Sequence, residues 1–336
     1  MAKSSINKVR NLKQKDETWQ IAIFRARTWI ETKQGNIYRP WQVMVLEGRL
    51  LTIRQESFPE HPTTHDISET LFKAMWRPMF GTGRKRRPKT ILFDDAELEK
   101  ELSPILEGIG IKSQRHNHLP DVHANYKAIN SILKRDTELI PSLLSIPKVT
   151  IPLLEKVFKA AANYYRVAPW EKIPYEFGLE INYPIDAPAR YAVVVGVEGT
   201  VFGLAIYNNL KDFRTSREIV GTEESPPDYP FLSFSYENGT YLSFDDLDAI
   251  DKYGWDIPNE NAYLSLDMYV PNLDILQLPT LDDLLWLAGV LPVLTFLFEK
   301  IFDIDELLDG IQRKNTFKIK TLAGEEKVQI IYPVDE

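Results

Sequence analysis

The chain has 336 residues, 44% of them apolar and 26% charged, which is the balance of a folded protein with enough length for two cores. It has no cysteine, which excludes disulfides, thiolate metal ligands and a cysteine nucleophile, and which suits a reducing, cytoplasmic setting. The net charge of −8 conceals an asymmetry: residues 1–147 hold 24 Lys and Arg against 17 Asp and Glu (+7), while residues 148–336 hold 16 against 31 (−15). Halves of opposite sign are suited to dock on each other or to meet different partners, although two solvated surfaces of unlike composition are the simpler explanation.

Residues 1–18 are polar, lack the apolar centre of a secretory signal, and read as a mobile or loosely docked arm. Trp19 to Ile30 has the composition of a strand. Pro40–Leu46 and Arg49–Gln55 read as a hairpin turning at Glu47-Gly48. A helix capped by Thr64 or Asp66 runs to about Met79 and buries Ile67, Leu71, Ala74 and Met75. A basic loop, Gly81 to Lys89, leads into a short strand, Thr90–Phe93. Asp94-Asp95 then opens a helix, which Gly108 and Gly110 stop, and a strand at Ile111–Gln114 precedes a helix over Asp121–Leu133. Strands alternating with helices predict an α/β fold with a mixed sheet covered by helices. The element order resembles that of the ribonuclease H-like fold. The resemblance covers roughly residues 1–135 and fixes no function.

The proline-rich stretch Ile140–Pro152 reads as a junction, dividing the chain into a basic α/β domain (1–143), a linker (144–152) and an acidic α/β domain (153–336). Leu153–Tyr165 is an amphipathic helix. Arg190–Tyr207, RYAVVVGVEGTVFGLAIY, is a hairpin of two strands apolar on both faces, as central strands are. Asn238-Gly239 predicts a second hairpin between Phe231–Tyr236 and Thr240–Phe244. Ala262–Val270 is a strand. Thr280 caps a helix with Asp283 bonding back, and Leu284–Phe298 forms a buried apolar run that is too short to span a bilayer. Phe317–Leu322 and Lys327–Tyr332 close the chain as a hairpin. At a constant offset of 151 residues, Trp19 falls on Trp170, Arg39 on Arg190, Glu47-Gly48 on Glu198-Gly199, and Phe93-Asp94-Asp95 on Phe244-Asp245-Asp246, so the two halves are expected to be duplicates.

No catalytic set emerges and no cofactor is expected. Gly196, Gly199 and Gly203 lack dinucleotide spacing, and a strand follows them where a helix is required. Two constellations remain as candidate sites. His116, His118, Asp121 and His123 are zinc-competent ligand types in one loop and resemble the His-x-His-x-Asp-His run of metallo-β-lactamases, but with altered spacing. Arg84, Lys85, Arg86, Arg87 and Lys89 are a cluster suited to nucleic-acid phosphates or an acidic partner, without interleaved aromatics. The acids at Asp94, Asp95 and Glu97, and at Asp245, Asp246, Asp248 and Asp251, suit helix starts, and a first-strand catalytic Asp is missing. Tyr164, Tyr165, Trp170, Tyr175 and Phe177 form an aromatic group with the character of core. The segments AANYYRVAPWEKIPYEFGLE and RYAVVVGVEGTVFGLAIY also resemble those of bacterial proteins made of two domains of unknown function. That resemblance implies a fold and a cytoplasmic setting, and it brings no activity or site residues. The expectation is therefore a non-enzymatic binding, regulatory or scaffolding protein with a protein partner and no membrane. The alternatives are a metal-dependent hydrolase or nuclease and a nucleic-acid binder.

Overall fold

The computed structural model describes residues 2–48, 51–122, 124, 140–174, 177–196, 199, 201–218, 227–273, 277–321 and 324–334. The chain divides into two units, Met1–Glu138 and Leu139–Glu336.

In the first unit the apolar segment TWQIAIFR becomes β1 (Thr18–Arg25) because both of its faces are covered. It lies at the centre of a five-stranded sheet ordered β5-β4-β1-β6-β7. β4 (Trp41–Glu47) pairs antiparallel with β1 and with β5 (Leu51–Phe58). β6 (Thr90–Phe93) and β7 (Lys112–Arg115) continue the sheet in parallel on the other side. Side chains alternate across a strand. Trp19, Ile21, Val43, Val45 and Ile91 therefore join one core with α1 (Ala2–Arg10), α2 (Thr64–Trp76) and α3 (Ala96–Glu107). Ala22, Met44 and Leu46 face Leu119 and Val122 on the other side. The short strands β2 (Ile30–Glu31) and β3 (Ile37–Tyr38) form a separate ribbon.

The helix starts follow capping chemistry. Thr63, not Thr64 or Asp66 alone, caps α2, and Asp66 returns its carboxylate to the Thr63 N–H at 3.0 Å. Asp95 accepts from the N–H groups of Glu97 (2.8 Å) and Leu98 (3.0 Å) at the start of α3. The expected loose arm is docked: Val9 is fully buried, and Lys13 and Lys15 exchange backbone hydrogen bonds with Arg87 at 3.0 and 2.8 Å.

The second unit holds a seven-stranded antiparallel sheet ordered β12-β11-β10-β9-β8-β14-β13. Its strands are β8 (Gly178–Asn182), β9 (Arg190–Val195), β10 (Gly203–Tyr207), β11 (Phe231–Glu237), β12 (Tyr263–Tyr269), β13 (Arg313–Thr321) and β14 (Gly324–Tyr332). α4 (Ile151–Val167) and α7 (Leu281–Lys300) pack together; α5 (Leu210–Glu218), α6 (Phe244–Tyr253) and α8 (Ile304–Leu308) complete the unit. The Tyr164 ring of α4 meets Phe234 of the sheet (5.8 Å) and Phe298 of α7 (6.2 Å), joining the layers. α7 is apolar on all sides. By length and composition it is able to cross a membrane, but 67% of its most apolar window is buried inside the unit, as in a core helix.

Four expectations are corrected. The halves are not duplicates, since one sheet has parallel pairs and the other is wholly antiparallel. Trp19 lies in β1 but Trp170 in a 3-10 turn, while Phe93 ends a strand and Phe244 opens a helix. A glycine at positive φ and an Asp at a helix start recur wherever chains turn, so a common spacing arises without a common topology. The second correction concerns Asn238, which does not turn a hairpin: its side chain accepts from the Thr240 N–H (3.0 Å) and caps a 3-10 turn, and β11 pairs instead with β12. The third is the segment placed in the linker. Leu143–Ser145 form a 3-10 turn fastened to α6, and Pro152 sits in the first turn of α4. The fourth is the length of α7, which continues through Pro292 and exceeds the expected run.

Candidate functional site

A large cleft lies in the second unit, with a volume of about 1160 Å³. Its floor follows from the start of α7. The Thr280 hydroxyl donates to Asp283 Oδ2 at 2.6 Å, which leaves Oδ1 to accept from Arg190 Nη1 at 2.8 Å. The Arg190 guanidinium lies 4.9 Å from the centroid of the Trp286 ring. One carboxylate thus caps a helix, neutralises a buried-side arginine and positions an aromatic floor. Gly289 supplies the second part of the floor: a Cβ there would stand 2.5 Å from the Tyr183 ring, so only glycine seats that ring against α7. The Tyr183 hydroxyl donates to Glu326. Burial first, and then that bond and charge, pushes its pKa up to about 12.

The walls come from separate elements. Leu153 and Lys156 belong to α4, Leu281 and Leu285 to α7, Lys320 and Thr321 to the end of β13, and Pro184, Ala187 and Pro188 to the turn before β9. Lys148, at φ +65°, stands at the rim and also borders an adjoining hollow of about 640 Å³. The cleft therefore combines an apolar, aromatic floor with a rim of lysines.

The residues singled out in the sequence lie elsewhere. His116 and His118 are exposed after β7, and His116 Nδ1 contacts the His118 carbonyl oxygen. Asp121 accepts from Gln20 Nε2 at 2.6 Å, tying the loop to β1. His123 lies outside the described residues. His61 packs on Trp41, with ring centroids 4.5 Å apart. No group of three His, Asp or Glu that could hold a metal occurs among the described residues.

The basic run is not one surface. Arg86 Nε bonds Glu17 Oε2 at 2.6 Å and its Nη2 bonds Glu47, while its guanidinium lies 5.2 Å from the centroid of Trp19. Arg87 donates to the carbonyls of Leu12 and Ile109. Lys89 pairs with Asp16 at 3.0 Å. The expected phosphate-binding cluster is thereby reduced to Arg84, Lys85 and the screened Lys89, because the loop folds back and spends its guanidiniums on the unit's own carboxylates and carbonyls. Arg86→Ala is expected to destabilise the protein by about 2–3 kcal/mol, since it leaves two part-buried carboxylates without their partner. Arg84→Ala, on an exposed residue, should stay within about 0.5 kcal/mol of the parent in urea unfolding. Equal effects would show that Arg86 is as dispensable as its neighbour.

The remaining groups are structural. Tyr164 and Trp170 are core residues and Tyr165 packs on both Trp170 and Tyr236; Tyr175 lies outside the described residues. Asp246 is buried at a helix start, where it holds the 142–144 segment. Sequence reading identified the Thr280–Asp283 cap but not the cleft, because its residues span positions 148 to 326 with no short-range spacing.

Residues 5–130 match the model of a domain of unknown function, DUF6930, and residues 155–318 match that of another, DUF7309. No curated protein matches the chain. Among solved structures, a chain in the cryo-EM structure of the simian T-cell lymphotropic virus intasome in complex with PP2A regulatory subunit B56 gamma is similar at 17% identity. The match covers 38% of this chain and 41% of that one with a TM-score of 0.25, a likeness too slight to argue from. The protein is thus built from two family domains of unknown function, DUF6930 in its first unit and DUF7309 in its second.

Proposed function

We propose that the protein works by binding and not by catalysis, in a regulatory or scaffolding role. The observation that carries this reading is the cleft of the second unit: it is large, floored by Trp286 and Tyr183, and rimmed by lysines.

The first unit supports the reading from another direction. We read its strand order, β5-β4-β1-β6-β7, with the first three antiparallel and the last two parallel to β1, as that of a ribonuclease H-like sheet. Nucleases on that scaffold gather carboxylates around two divalent metals and take one from the central strand. The central strand here is β1, TWQIAIFR, which carries no acid; Glu47, at the end of β4, is engaged by Arg86. We read the unit as a scaffold that has kept the sheet and not the chemistry.

The test is incubation of the purified full chain with RNA–DNA hybrid and duplex DNA in Mg²⁺ or Mn²⁺. No hydrolysis above a metal-only blank is expected. Turnover that disappears in Asp121→Asn would overturn the proposal in favour of a metal-dependent hydrolase acting through His116, His118, Asp121 and His123.

A further inference from the structure

We infer that the cleft in the second unit is a site for a small organic anion with an apolar body, a single acidic head on an aliphatic or aromatic frame. The inference rests on the binding reading above and assigns the chemistry of that same site.

Charge gives the head group. The second unit is strongly acidic, with 16 Lys and Arg against 31 Asp and Glu over residues 148–336. Yet Lys148, Lys156, Arg190 and Lys320 line this one cleft, against the carboxylates Asp282 and Glu326. Arg190 is neutralised by Asp283. Lys148, Lys156 and Lys320 form no ion pair among the described residues, and they reach the mouth from a loop, from α4 and from β13. Lysines drawn from three elements to one mouth, in a unit of opposite net charge, form a local positive field over a low-dielectric floor, which concentrates anions.

Apolar surface gives the body. Leu285 is 49% exposed although it lies on α7, the core helix, and it lines the cleft with Leu153 and the Trp286 ring. The Trp286 indole N–H, on a residue 5% exposed, has no acceptor among the described residues. A ligand with an apolar frame covers Leu285 and the floor while its acid meets the lysine rim. A cation would meet that rim with the wrong sign, and a purely polar anion would leave the floor uncovered.

The experiment is calorimetric titration of the full chain with dodecanoate, kept below its micelle concentration, and with dodecyltrimethylammonium as the charge-reversed control. Saturable one-to-one binding of dodecanoate, accompanied by a change in tryptophan fluorescence, is expected, with none for the cation. The double variant Lys156→Gln/Lys320→Gln should weaken binding by about tenfold or more and flatten its salt dependence. Leu285→Glu should abolish it with the unfolding midpoint retained. The inference is overturned if dodecanoate does not saturate at one site, if the cation binds equally, or if the lysine variant, whose changes are on exposed side chains, binds as the parent does. Those failures leave the non-catalytic reading standing, since that reading falls only to metal-dependent turnover.

Discussion

Gly203→Ala is expected to be the most damaging single-methyl change in the second unit, costing about 4 kcal/mol or more and opening the seam between β10 and β11. Gly203 has φ +152° and pairs with Ser235 across that seam. A Cβ at this position would lie 1.9 Å from the Phe234 carbonyl oxygen, 2.9 Å from its carbonyl carbon and 3.0 Å from Ser235 Cα. All three are backbone atoms of a neighbouring strand, so no rotamer change relieves the clash. Either the strands separate, losing ladder hydrogen bonds in mid-sheet, or the register slips and turns Leu204 and Ile206 away from the core. Gly199 provides the control. It has φ +75° and nothing within 4 Å of its Cβ position, so Gly199→Ala bears only the left-handed strain, about 1–2 kcal/mol. Urea midpoints for the two variants, with hydrogen exchange at Leu204 and Ile206, give the comparison. Equal losses would mean that the β10–β11 approach is looser than the geometry requires.

That glycine also shows how far the sequence could be read. Gly199 was legible as a turn residue, because turns announce themselves through composition. Gly203 was not, because its need comes from the carbonyl of a strand some thirty residues later. The same division runs through the molecule. Local devices were readable: the Thr280–Asp283 capping box, the four buried positions of α2, the closing hairpin and the apolar helix α7. Pairing was not. Asn238-Gly239 carries the strongest short turn signal in the chain, yet it becomes a cap because β12 supplies the partner that β11 needs. The basic run shows the limit for sites. Arg84 and Arg86 are equivalent in sequence, but one is solvated and the other clamps Glu17 and Glu47, and only the fold assigns those roles. The cleft was invisible for a similar reason: its lysines stand at 148, 156 and 320, and none is remarkable beside its own neighbours.

The second large effect is expected at Asp246, which joins the segment after the unit boundary to α6. Its carboxylate accepts from Ser142 Oγ at 2.7 Å, from the Leu143 N–H at 3.0 Å and from Ser243 Oγ at 2.9 Å, on a residue 4% exposed. Asp246→Ala would strand three buried donors together, at a cost of about 3–5 kcal/mol. Asp246→Asn retains one acceptor oxygen and should lose less. Ser142→Ala combined with Asp246→Ala should be less damaging than the sum of the two, because the first removes a donor that the second leaves unpaired. The pH dependence has a definite sign. Burial is the largest influence on this carboxyl and, against the opposing hydrogen bonds, raises its folded pKa above the ordinary aspartate value of 3.8. The native state therefore takes up its proton before the unfolded state does as the pH falls. This residue's contribution then grows on acidification through the window from the folded pKa down to 3.8. Asn does not titrate, so the stability gap between the parent and Asp246→Asn should widen as the pH is lowered through that window in matched urea series. A gap that narrows instead would place the folded pKa below the unfolded one and show that the three donors, not burial, dominate the site.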